Sequence, residues 1–82
     1  MTQGVADLVD RDTLDTTLYL RRHFAGDWGD LEYYDRTSNQ HALAKGDRLL
    51  SRYKLDDDIE SELWIITEAD RSATTLLLPS EY

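Results

Sequence analysis

His23, Asp27, Asp30 and Asp35 fall within thirteen positions around Trp28, and His41 follows a little later. Imidazole and carboxylate are the ligands a divalent metal would take and the groups that general acid–base catalysis uses. With Glu68 from further along the chain, His23, Asp27 and Asp30 make the best catalytic set available, that of a metal-assisted hydrolase or nuclease. That reading requires the four side chains to converge. The spacing matches no closed metal motif, since HExxH, paired Cys-x-x-Cys and both standard Gly-rich phosphate loops are missing. The ordinary reading of His23 is a last-turn helix residue that bonds a free carbonyl, and that of Asp27 and Asp30 is helix capping. Nucleophilic catalysis has no candidate either, because Cys is absent and no Ser lies in a Gly-x-Ser-x-Gly turn. The residues therefore point to a protein that is not an enzyme and needs no cofactor.

Two further polar groups stand out. Asp56, Asp57, Asp58, Glu60 and Glu62 put five carboxylates into seven residues. In an extended chain they imitate a row of DNA phosphates, which repeat at about 3.4 Å per strand. A protein built that way would occupy the DNA channel of a basic enzyme, whereas the ordinary alternative is a solvated loop that keeps a hairpin from pairing with another chain. Glu68, Asp70 and Arg71 form the second group, at a turn, where an Arg between carboxylates is commonly a surface ion pair. Trp28, flanked by Asp27 and Asp30, is the natural anchor for a partner.

Seventeen acidic residues against nine basic ones give the 82-residue chain a formal charge of −8. Such a charge serves solubility in a small domain, and it argues against direct contact with nucleic acid or an anionic membrane. The functional counterpart is a protein partner with a basic surface. The longest apolar runs, Leu63 to Ile66 and Leu76 to Leu78, fall far short of the ~20 residues of a membrane span. With no Cys and no basic-then-apolar leader, the expected setting is the cytoplasm.

These residues need elements to position them. The densest apolar stretch, Leu63 to Pro79, reads as two strands around a polar turn, Leu63 to Glu68 and Ala73 to Leu78. A preceding strand, Arg48 to Leu55, puts Leu49, Ser51, Tyr53 and Leu55 on one face, completing an antiparallel meander. A first helix is expected from Thr13 to about Phe24, capped by Asp12, with Leu14/Leu18 and Leu20/Phe24 as apolar stripes and Gly26 ending it. A second helix is expected from about Leu31 to Lys45, capped by Asp30 and closed by Gly46. In residues 1–10, Val5, Leu8 and Val9 allow a short turn of helix or an edge strand, and the first few residues read as a loose lead-in. The fold class is α+β, two helices packed on a three-stranded antiparallel meander in one domain spanning 1–82. Homodimerisation through the second helix or an edge strand is a further possibility that this layout leaves open.

Three segments read together resemble a family of short bacterial proteins found on plasmids and integrative elements. They are Arg22-His23-Phe24-Ala25-Gly26-Asp27-Trp28-Gly29-Asp30-Leu31, Arg48-Leu49-Leu50-Ser51-Arg52-Tyr53, and Trp64 to Pro79 with its Ile-Ile-Thr-Glu-Ala-Asp-Arg core. Asn39, Ala42 and Leu43 also sit where the family pattern has them. The match runs from about Leu20 to Tyr82, while relatives have a longer lead-in with a Thr-Pro-Gly turn. The resemblance implies a mobile-element setting and an encounter with host defence or plasmid upkeep, such as inhibition of a CRISPR effector or restriction complex. It also implies that His23, Asp27, Trp28, Asp30, Glu68, Asp70 and Arg71 belong together, with the Trp28 loop and the Glu68 to Arg71 turn forming one surface.

Overall fold

A computed structural model describes residues 1–11, 14–29, 33–55 and 62–82, without the side chains of 33–36 and 44. The meander forms as the alternation of residue types requires. Strands β1 (Leu49–Lys54), β2 (Glu62–Thr67) and β3 (Thr74–Leu77) are antiparallel in the order β1-β2-β3. Leu49 faces Thr67 and Tyr53 faces Leu63 in the first ladder, and Trp64 faces Leu77 in the second. One sheet face therefore carries Leu49, Ser51, Tyr53, Leu63, Ile65, Thr67 and Leu76, nearly all of it buried.

That face is covered from the N-terminal side. Residues Gln3–Asp10 form helix α1, the helical alternative that Val5, Leu8 and Val9 had left open, and the helix count rises from two to three. Val5 and Leu8, one turn apart, are fully buried against Leu76 and Leu78, which gives this short helix the packing it needs. Its start is capped from the far end of the chain: the Glu81 carboxylate accepts from the Gly4 N–H at 3.0 Å and from the Thr2 hydroxyl. Those bonds hold the Glu81 carboxyl below the usual carboxylate range. Glu81 lies in a 3-10 turn, Pro79–Glu81, directly after the last strand.

Helix α2 is Thr16–Phe24, three residues shorter at its start than expected. Its cap is Asp15, whose carboxylate accepts from the Thr17 N–H at 3.1 Å, and not Asp12, which lies outside the described residues. Because Leu14 precedes the helix, the Leu14/Leu18 stripe does not form and the inward face turns to Tyr19, Leu20 and His23. Leu18 and Phe24 point outward. Helix α3, Tyr33–Lys45, ends at Gly46, and Gly26 likewise ends α2, both with positive φ as expected. The Asp30 cap expected for α3 lies outside the described residues.

Both outer edges of the sheet are occupied. On β1, the Asn39 side chain of α3 donates to the Leu50 carbonyl and accepts from the Leu50 N–H at 3.1 Å, imitating a neighbouring strand. Two residues on, the Arg52 N–H donates to the Trp28 carbonyl at 3.1 Å, and Gly29 bridges to Arg52 in parallel. On β3, the Leu76 carbonyl accepts from the Thr2 N–H at 3.0 Å. At Leu50, Arg52 and Leu76, edge groups that would recruit another strand are bonded within the chain.

Candidate functional site

His23 reaches the site from the last turn of α2, where its side chain turns down onto the sheet instead of capping a carbonyl. It is buried, and both ring nitrogens are engaged: Nδ1 with the Ser51 hydroxyl at 2.5 Å and Nε2 with the Thr67 hydroxyl at 2.8 Å. Thr67 in turn meets the Thr74 hydroxyl at 3.0 Å. The Tyr53 hydroxyl donates to the Asp27 carbonyl, which only accepts. Burial lowers the His23 pKa below its ordinary value, and burial raises that of Tyr53. A neutral imidazole thus crosses the core as a structural link from β3 through β2, α2 and β1 to the loop at Asp27.

The residues singled out from the sequence divide between such links and an exposed surface. Asp27 is exposed and pairs with Arg22 through two contacts of 2.7 and 3.3 Å, while its carboxylate also accepts from the Gly29 N–H. The Arg22 guanidinium lies 4.6 Å from the Tyr53 ring centre, so it ties this loop to β1. Gly29 carries φ +75°, and a Cβ there would lie 2.0 Å from the Arg52 carbonyl oxygen. Only glycine lets the loop close on the β1 edge.

Arg71 is not the surface ion pair of the sequence reading. At φ 63° it turns its guanidinium onto backbone carbonyls: Asp47 at 2.6 Å, Glu68 at 3.1 Å and Ala42 at 3.3 Å. The β2–β3 turn is thereby fastened to the C-terminal end of α3. Glu68 is exposed and 3.7 Å from Arg48, and the Asp70 carboxylate accepts from the Ser72 N–H at 2.9 Å; the Ser72 side chain first and this N–H second lower the Asp70 pKa. Asp30, Asp56, Asp57, Asp58 and Glu60 lie outside the described residues, whereas Glu62 opens β2 and bonds Arg52 at 2.7 Å. The arginine holds the Glu62 carboxyl below its usual range.

For metal chemistry, His23 has no free nitrogen and Asp27 is held by Arg22. Among the described residues, no group of three or more His, Cys, Asp or Glu side chains is placed to hold a metal ion. The described part of the His23, Asp27, Asp30 and Glu68 set does not converge as a ligand shell.

What does converge is a pocket. The end of α2, the loop after it, the end of α3 and the β2–β3 turn enclose about 310 Å³. Trp28, Phe24 and Leu43 form its apolar walls, His23 and Thr67 lie at its base, and Arg71 stands at its rim. Trp28 and Arg71 therefore share one surface. Phe24 is 68% exposed and Leu43 58%, although spacing had placed Phe24 with Leu20 in an apolar helix stripe. The sequence signal for them was weak: Phe24 immediately precedes the cap at Ala25-Gly26, where a side chain overhangs the helix end instead of the sheet. Comparison of the chain with protein-family models, curated proteins and solved structures finds no match in any of the three. No helix among the described residues is long and apolar enough to cross a membrane.

Proposed function

We propose that this chain is a small acidic protein-binding module, non-enzymatic, whose partner inserts an apolar side chain beside Trp28. The observation that carries the reading is the pairing of exposed Phe24 and Leu43 around a pocket of about 310 Å³. Large apolar side chains held outward together mark interaction sites, because each would otherwise be sheltered. The net charge of −8 adds long-range attraction for a basic partner. The resemblance to proteins of plasmids and integrative elements directs the partner toward a nucleic-acid enzyme of host defence, a CRISPR effector or restriction complex. Asp56, Asp57, Asp58 and Glu60 would then compete with its nucleic acid, in a protein acting in the cytoplasm.

The test is a reconstituted interference or restriction reaction with the chain added at micromolar concentration. Protection of target DNA is expected, weakening as salt is raised because the attraction is screened. Phe24→Ser with Leu43→Ser should abolish protection while leaving the fold intact, since neither residue belongs to the buried core. No protection against any such enzyme refutes the partner class, and protection unaffected by the double substitution refutes the pocket.

A further inference from the structure

The sheet face turned away from α1 and α2 carries a second concavity, which shares no lining residue with the Trp28 pocket. It encloses about 390 Å³ between α3 and the C-terminal 3-10 turn, within the range of small-molecule sites. Leu50 and Ile66 form its floor, Trp64 and Tyr82 its aromatic wall, and Ser38 and Arg48 its polar rim. The two aromatic rings meet edge-on at 5.5 Å and 64°, and the Arg52 guanidinium lies 6.0 Å from the centre of the Trp64 ring.

Arg48 is the charged side chain among the described residues that line this groove. On a chain with seventeen acidic and nine basic residues, the local sign opposes the overall one. The Arg48 guanidinium lies 5.8 Å from the Tyr82 ring centre. Its ion pair with Glu68 is long, at 3.7 Å, and about half exposed on both sides, so a better acceptor can displace it. The guanidinium fork suits a carboxylate held in two parallel bonds. Glu68 and Glu81 nearby oppose a second negative charge on the occupant.

We infer that this groove binds a small planar aromatic monoanion, its ring against Trp64 and Tyr82 over Leu50 and Ile66, and its carboxylate on Arg48. The site is independent of the protein-binding surface, and either stands without the other.

The experiment titrates the ¹⁵N-labelled full chain with naphthalene-2-carboxylate and, separately, with naphthalene-2-carboxamide, which matches its shape without the charge. The carboxylate should bind about tenfold more tightly than the amide, the margin of one charge-assisted contact. It should shift the Trp64 indole N–H and the Leu50 and Ile66 amides while leaving the Trp28 indole unmoved. Arg48→Met should level the two probes, Arg48→Lys should keep part of the preference, and Trp64→Leu should weaken both. Arg48 is half exposed, and an unchanged amide spectrum elsewhere verifies each variant's fold. Equal binding of the two probes to the native chain, shifts centred on Trp28, or no shifts at millimolar probe would each overturn the assignment.

Discussion

Replacing His23 tests whether a buried imidazole holds this fold together. Its two ring nitrogens bond the hydroxyls of Ser51 and Thr67, both buried. His23→Ala removes two hydrogen bonds, each worth about 1 kcal/mol net, and opens a cavity that adds about 1–2 kcal/mol. The expected loss is about 3–4 kcal/mol, set against a total stability of roughly 4–12 kcal/mol for a domain of this length. His23→Gln can bond both hydroxyls through its amide and should lose only about 1 kcal/mol. The two variants also differ from the native chain in pH response. Burial lowers the His23 pKa, so the unfolded chain takes up a proton that the folded chain resists. The contribution is complete above the unfolded value of about 6.5 and is lost as pH falls below it. From pH 7.5 to 5.5 the native chain should lose up to about 1.4 kcal/mol from this source. His23→Gln should lose none of that, and His41, common to both chains, cancels. The lowered Glu62 and Glu81 carboxyls titrate below this window. Urea unfolding followed by far-ultraviolet circular dichroism at pH 7.5, 6.5 and 5.5 supplies the numbers. Parallel pH dependences for the native chain and His23→Gln would refute the argument.

Three further outcomes follow from the same contacts. Asn39→Leu should destabilise by about 2–3 kcal/mol in urea, because it strips both partners from the Leu50 backbone, and the bared β1 edge should make the mass concentration-dependent in sedimentation. Gly29→Ala should cost more than about 3 kcal/mol or prevent folding, whereas Gly46→Ala, with open space around it, should cost only about 1–2 kcal/mol for its positive φ; thermal melts compare them. Arg71→Gly should be more stable than Arg71→Ala by about 1 kcal/mol, since both lose the carbonyl bonds but glycine accepts φ 63° without strain; equal melting temperatures would show that the backbone there is relaxed.

The sheet was legible because its signal is local. Period-two alternation placed Leu49, Ser51 and Tyr53 on the inner face, and all three are buried there. It even placed Ser51 inward, although the reason, a histidine 28 positions earlier, became visible only in the fold. Gly26 and Gly46 were equally readable, since a left-handed helix end asks for glycine wherever it occurs. The start of α2 was placed three residues too early because Asp12 and Asp15 are equivalent as caps and three residues apart. The later start removed Leu14 from the helix and with it the Leu14/Leu18 stripe, while His23 faces the sheet and Phe24 lies exposed at the helix end.

Sequence by itself determined the α+β class, the antiparallel meander, the glycine-closed ends of two helices and the acidic charge, all of which depend on neighbours within a turn or on composition. Tertiary structure decided what the polar residues are for. His23, Asn39, Asp27, Arg71 and Glu81 each find partners in another element, Glu81 at a separation of 77 residues. No local pattern encodes such a bond, because a buried donor or acceptor is satisfied by whatever group the packing brings within reach. The same packing left Phe24 and Leu43 without a covering element, and so turned two ordinary helix residues into the walls of a pocket.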